Sequence, residues 1–126
     1  MAAGKFTLHQ TEAGYRFNLK APNGEIIMTS EIYKSESACR NGIASVAKNA
    51  KGAAVEDQTA MIFASEKCPK FEIYTDEAGE TRFRLKAKNG KIIGASEGYK
   101  SMDSCRNGIE SVIANSPKAT IEKTDE

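Results

Sequence analysis

The chain contains one segment twice. Residues 6–49 and 71–115 are identical at more than half of their aligned positions. The offset is 65 residues as far as Gly14/Gly79 and 66 beyond, because Glu80 is an extra residue in the second copy. Self-similarity at a fixed offset marks a duplicated supersecondary unit. Any fold for this chain must therefore accommodate two nearly equal halves.

Each copy opens with period-two alternation. Phe6, Leu8 and Gln10 alternate with Lys5, Thr7 and His9, and Phe71, Ile73 and Thr75 with Lys70, Glu72 and Tyr74. One apolar face at this period is the signature of a half-buried strand. A Gly-containing turn follows, and then a second strand whose apolar set is Phe17, Leu19 and Ala21, or Phe83, Leu85 and Ala87. Asn23-Gly24 and Asn89-Gly90 then predict two-residue type I′ hairpins, in which both turn residues adopt positive φ. That turn sets Leu19 opposite Met28, Phe17 opposite Ser30 and Arg16 opposite Glu31. In the second copy it sets Leu85 opposite Gly94, Phe83 opposite Ser96 and Arg82 opposite Glu97. The earlier turn pairs Leu8 with Phe17 and Ile73 with Phe83, so Glu80 is absorbed in the loop without changing the facing.

After Tyr33-Lys34-Ser35 the period becomes helical. Cys39, Ile43, Val46 and Ala50 recur on one stripe, as do Cys105, Ile109, Val112 and Ser116. Ser35 and Ser101 are the expected N-caps of helices over 35–49 and 101–115. A short β-prone stretch closes each unit, at 53–57 and 119–123. The unit is therefore β-β-β-α-β, with copies at 4–58 and 70–124 joined by a linker at 59–69. Met61, Ile62 and Phe63 in that linker are expected to pack on the body.

A unit of about 55 residues is marginal alone, and duplication supplies its partner at high effective concentration. The expectation is an α+β pseudo-two-fold single domain: an antiparallel sheet joined edge to edge, both helices on one face, and last strands exchanged between units. Gly42 and Gly108, each inside a helix, imply a close approach by the other helix or the sheet. A chain completed internally in this way is expected to be a monomer.

The Asn-Gly hairpin, the Ile-Ile-x-x-Ser-Glu-x-Tyr-Lys-Ser segment and the Gly-Ile-x-Ser-Val-x-x-Asn helix resemble the YegP-like family of small, mostly bacterial domains, its duplicated members in particular. The similarity spans nearly the whole chain apart from residues 1–3 and 59–69. The resemblance implies tandem β3-α-β units in one sheet with exchanged last strands. It implies no activity, because the family is one of unknown function, and it carries no catalytic residues.

The residues themselves offer little chemistry. The only histidine, His9, is expected on the surface opposite Arg16, and a single histidine excludes multi-His zinc sites. Cys39 and Cys105 read as small buried hydrophobes, with Cys68 the more exposed thiol; the alternative is a thiol-based redox sensor or enzyme. Arg16/Glu31 and Arg82/Glu97 read as structural pairs. The sheet face away from the helices carries the candidate ligand surface: Lys5, His9, Arg16, Lys20, Tyr74, Arg82, Arg84 and Lys86. It is offset by Glu31, Glu72 and Glu97, and Ile27 and Ile93 are expected there, either under the stems of Lys20 and Lys86 or as a partner-binding patch. Basic residues around aromatics on an open sheet suit single-strand nucleic-acid binding, the alternative role. Lys+Arg 18 against Asp+Glu 17 argues against a dedicated polyanion binder.

The leading expectation is a non-catalytic small binding or accessory module with no cofactor and no metal. No apolar run spans a bilayer, and the first residues lack a leader's apolar core. No membrane partner is expected, and the cytoplasm is the expected compartment, with three reduced cysteines.

Overall fold

A computed structural model describes residues 4–124; the first three residues, on which part of the leader reading rests, lie outside that span. The first unit comprises β1 (Lys5–Thr11), β2 (Gly14–Lys20), β3 (Ile26–Ser30), α1 (Glu36–Asn49) and β4 (Ala54–Asp57). The second comprises β5 (Lys70–Thr75), β6 (Thr81–Lys86), β7 (Ile92–Ala95), α2 (Met102–Asn115) and β8 (Thr120–Thr124). These strands form one sheet in the order β4-β5-β6-β7-β3-β2-β1-β8.

The last strands are exchanged. β4 pairs with β5 of the second unit, and β8 pairs with β1 of the first. Both outer pairs are parallel, because a strand that follows the helix returns along the direction of the first strand; the inner pairs are antiparallel. Charge matches each exchanged strand to its host helix. Asp57 on β4 meets Arg106 of α2 at 3.4 Å, while Lys123 on β8 meets Glu36 of α1 at 2.8 Å.

Apolar alternation places Phe6, Leu8, Phe17 and Leu19, with Phe71, Ile73, Phe83 and Leu85, on one face. There they meet Cys39, Ile43 and Val46 of α1 and Cys105, Ile109 and Val112 of α2. Each buried Phe contributes about 2 kcal/mol by leaving water. The helices are capped as expected: Ser35 and Ser101 accept from the backbone N–H of Ala38 and Ser104. Glycine in the helices answers to a tyrosine. Tyr33 is locked to Tyr15 by two backbone hydrogen bonds (2.7 and 2.8 Å), and its ring stacks on Phe17 at 6.3 Å. A Cβ on Gly42 would overlap the Tyr33 hydroxyl; Gly108 and Tyr99 repeat the arrangement.

The hairpin turns differ from the expected type I′. Gly24 N–H donates to Ala21 O and Ala21 N–H to Glu25 O, and among residues with described backbones only glycines have positive φ. This is a type I turn closed by a left-handed glycine, a three-residue loop. It shifts the pairing by one residue. A bulge between Leu19 and Lys20 shifts it back, so Leu19 still faces Met28, and Leu85 still faces Gly94. The bulge also turns Ile27 and Ile93 out of the open face and into the core, where they are about 5% and 4% exposed.

The expected Arg16–Glu31 and Arg82–Glu97 pairs do not form. Ser30 Oγ accepts from Phe17 N–H and donates to Glu31 O, taking over the ladder just where β3 ends, so Glu31 turns away; Ser96 does the same for Glu97. Arg82 pairs instead with Asp76 of the preceding loop. The linker also departs from expectation. Met61 and Ile62 are 101% and 91% exposed and Phe63 44%, so they do not pack on the body. The core face is already covered by the helices, and the linker returns along the opposite, polar face, where Glu66 N–H donates to Glu56.

The units join where β3 meets β7, with Thr29 opposite Ala95. These two residues are counterparts in the duplication, so the pseudo-two-fold axis passes between them. Counterparts beside an axis compete for one space. Met28 fills it, and Gly94 yields it: a Cβ at Gly94 would lie 3.1 Å from Met28 Cγ and 3.0 Å from Thr29 O. Gly94→Met should destabilise the fold by about 1–3 kcal/mol. Met28→Gly in the same chain should restore most of that loss in a denaturant titration, by moving the filler to the other side.

Candidate functional site

The face turned away from the helices is where the two halves diverge. Where the second unit hosts β4, Glu56 of β4, Lys70 and Glu72 of β5, and Arg84 and Lys86 of β6 form an ionic cluster. Lys70 Nζ lies 2.8 Å from Glu56 and 3.2 Å from Glu72. Arg84 Nε reaches Glu72 at 2.6 Å and Lys86 Nζ at 3.3 Å. The Arg84 guanidinium also lies 4.5 Å over the Tyr74 ring. Glu56, Glu72 and Lys70 are buried. Burial of charge is tolerated only when it is paired and hydrogen-bonded, and here four cationic or amide groups and one backbone N–H serve two carboxylates. The Lys70 ammonium, with Gln58 and the Glu66 N–H, holds the Glu56 carboxyl down at about 2.

The half that hosts β8 keeps the outer pair, Lys5 with Glu122 at 3.2 Å as the counterpart of Lys70 with Glu56, and fills the central positions with neutral groups. Thr7 stands where Glu72 does, His9 where Tyr74 does, and Asn18 where Arg84 does. His9 is 8% exposed rather than on the surface, because β8 lies beside it. Its Nε2 lies 3.0 Å from the Thr7 hydroxyl and 3.2 Å from Asn18 Nδ2, and its Nδ1 lies 2.6 Å from the Thr124 hydroxyl. Thr29 Oγ donates to Asn18 Oδ1 (2.8 Å), which turns the amide nitrogen toward His9. His9 thus clamps the exchanged strand β8, as Lys70 clamps β4.

The candidate surface is therefore not a field of free cations. Arg84 and Lys86 are tied to Glu72, Arg82 to Asp76, and Lys5 to Glu122 of β8 at 3.2 Å. Arg16 is exposed and Lys20 half-buried, on the first unit's side of the face. The sequence reading missed Glu56. Its signal is the same Glu at the counterpart Glu122, on strands whose pairing partners were still unknown.

The thiols are placed as structural groups. Cys39 and Cys105 are buried, and burial pushes both up to about 11, which suppresses the reactive thiolate. Cys68 is half-buried in the linker. Among the described residues, no group of three or more His, Cys, Asp or Glu side chains is placed to hold a metal ion, and no helix is long and apolar enough to cross a membrane.

A family model described as a domain of unknown function, DUF1508, matches residues 11–57 and again 76–122. The chain belongs to the YegP-like family. YegP-like relatives match it end to end: the UPF0339 protein YegP of Yersinia pestis is 39% identical, over 96% of this chain and 96% of that protein. A UPF0339 protein of Mannheimia succiniciproducens is 40% identical, over 96% and 95%. The solution structure of yegP from E. coli, a protein of unknown function, superposes with a TM-score of 0.79 at 35% identity, covering 99% of this chain and 96% of that one. A UPF0339 protein from Shewanella oneidensis gives 0.80 at 32% identity, over 98% and 93%. The YegP-like fold is thus shared, and the relatives carry no described activity.

Two tests address the cluster and the thiols. The Glu56 carboxyl titrates lower in the folded chain than its ordinary 4.5. Its stabilisation is therefore fully present above pH ~4.5 and lost as pH falls toward about 2. Glu56→Gln should lower stability by about 2 kcal/mol at neutral pH and flatten the melting-temperature profile across that acidic window. Thiol titration of the native chain should label Cys68 alone, with Cys39 and Cys105 reacting only after denaturation.

Proposed function

We propose that the chain is a non-catalytic binding module that engages a protein partner through the loop between β4 and β5. The observation that carries this reading is the display of Met61, Ile62 and Phe63 to solvent on a loop held at both ends. At one end Asp57 accepts from the Thr59 N–H and hydroxyl. At the other, the buried Glu56 accepts from the Glu66 N–H at 2.7 Å. Holding the ends in advance lowers the ordering cost of binding. Three neighbouring large apolar side chains have no role in the core, and the repeat has no counterpart of them. Burying such side chains in a partner's apolar cleft is worth about 1.5–3 kcal/mol each.

Two other readings are weaker. Nucleic-acid binding by the open face draws on Arg16, Lys20 and the Tyr74–Arg84 stack, but most cations of that face already hold carboxylates. Thiol chemistry would need thiolates that burial suppresses at Cys39 and Cys105.

The test is retention of bacterial proteins on the immobilised chain. Met61→Ser/Ile62→Ser/Phe63→Ser should melt within about a degree of the parent and lose the proteins the parent retains, while Arg84→Ala/Lys86→Ala should keep them. Retention that is unchanged by the triple variant would overturn the reading. Retained RNA that is lost with salt and with the Arg84/Lys86 variant would move the function to the open face.

A further inference from the structure

On the helix side, the turn after the second strand of each unit faces the helix of the other unit, leaving a groove between them. The duplication makes two such grooves. One lies between the β2–β3 turn and α2, of about 300 Å³. Its twin lies between the β6–β7 turn and α1, of about 410 Å³. Their shared frame is polar and neutral: Asn41 and Ser45 match Asn107 and Ser111 on the helices, and Asn89 matches Asn23 on the turns.

The charges around that frame have separated. Where α2 has Glu110 and Ala114, α1 has Ala44 and Lys48. Where the first turn has Pro22 and Glu25, the second has Lys88 and Lys91. All four differences run in the same direction, toward positive charge at the α1 groove. Among the described residues no carboxylate lines that groove, whereas Glu25 lines its twin. The frame there also offers hydrogen-bond donors. Asn89 Oδ1 is taken by the Lys91 N–H at 3.0 Å, which leaves its amide N–H groups for another acceptor. Ser45 Oγ accepts from Asn49 Nδ2 at 2.9 Å, which leaves its own proton to donate.

We propose that the groove between α1 and the β6–β7 turn binds a small phosphate-bearing molecule. Lys48 and Lys88 supply opposing ammonium groups, and Asn41, Ser45 and Asn89 supply neutral donors between them. Lysine serves phosphate as a compact point charge. The volume, about 410 Å³, admits more than a bare ion. Most cations of the open sheet face, on the other side of the sheet, are already occupied by carboxylates.

The duplication supplies the control. Inorganic pyrophosphate, titrated into the full chain at constant ionic strength to hold screening fixed, should shift the amide resonances of Asn41, Ser45, Lys48, Lys88 and Asn89 saturably. Asn107, Ser111 and Asn23 in the twin should stay still. Lys48→Glu/Lys88→Glu should weaken binding by at least about tenfold, with the remaining spectrum confirming the fold. Conversely, Pro22→Lys/Glu25→Lys/Ala114→Lys should create a second binding event at the twin. Absence of saturable shifts, equal shifts in both grooves of the parent chain, or an equal response to sodium sulfate and pyrophosphate would overturn the proposal. Stronger binding by single-stranded RNA than by pyrophosphate at these same residues would also overturn it, in favour of a polyanion site.

Discussion

A β-strand at the edge of a sheet leaves its outward backbone groups unpaired, and a sheet with one helix buries only part of what it exposes. Here each unit's last strand closes the other unit's first-strand edge, through β1–β8 and β4–β5. Neither half holds a complete sheet from its own residues. The rest of the arrangement depends on this reciprocity: the pseudo-two-fold, the common helix face, and the clamps at His9 and Lys70 that fasten the visiting strands. The charge pairs at Asp57–Arg106 and Lys123–Glu36 add direction, because each visiting strand carries the sign its host helix accepts.

Symmetry also explains where the halves must differ. At the axis one space serves two counterparts, so Met28 fills it and Gly94 vacates it. Glu80 shows the same logic away from the axis. The inserted residue leans on Gly98, which has no side chain to obstruct it, and the first copy, without the insertion, has Ile32 there. On the open face no such competition exists: both halves keep the outer Lys–Glu pair, while the centre has drifted to an ionic network in one and a neutral network in the other.

Much of this architecture was legible in the residues. Alternation gave the strand faces, Ser35 and Ser101 marked the helix starts, and Gly42 and Gly108 announced a close approach. The sheet's share of that approach was legible, since Phe17 and Phe83 would lie 3.1 and 3.0 Å from a Cβ there; the nearer Tyr33 and Tyr99 rings were not, because they arrive from the loop before the helix. The hairpin was read with the correct partners for an incomplete reason: a three-residue loop and a bulge offset one another, and periodicity sees only their sum. That bulge is also why Ile27 and Ile93 sit in the core. His9 looked exposed because the strand covering it comes from more than a hundred residues away. The charged pairs failed for a local reason, the Ser30 and Ser96 hydroxyls that end the ladder early. The loop at 59–66 defied its apolar composition because the face it crosses is ionic.

The order of the strands has a topological consequence. β4 and β5 lie side by side in parallel and are tied by the segment between them; β8 and β1 lie side by side in the same way and are not tied. The backbone therefore traces a ring with a single gap, and the present gap is only one of two equivalent places to open it. A circularly permuted chain, cut within 59–66 and joined from Thr124 back to Lys5 by a connection of similar length, would thread through the same sheet in the same order.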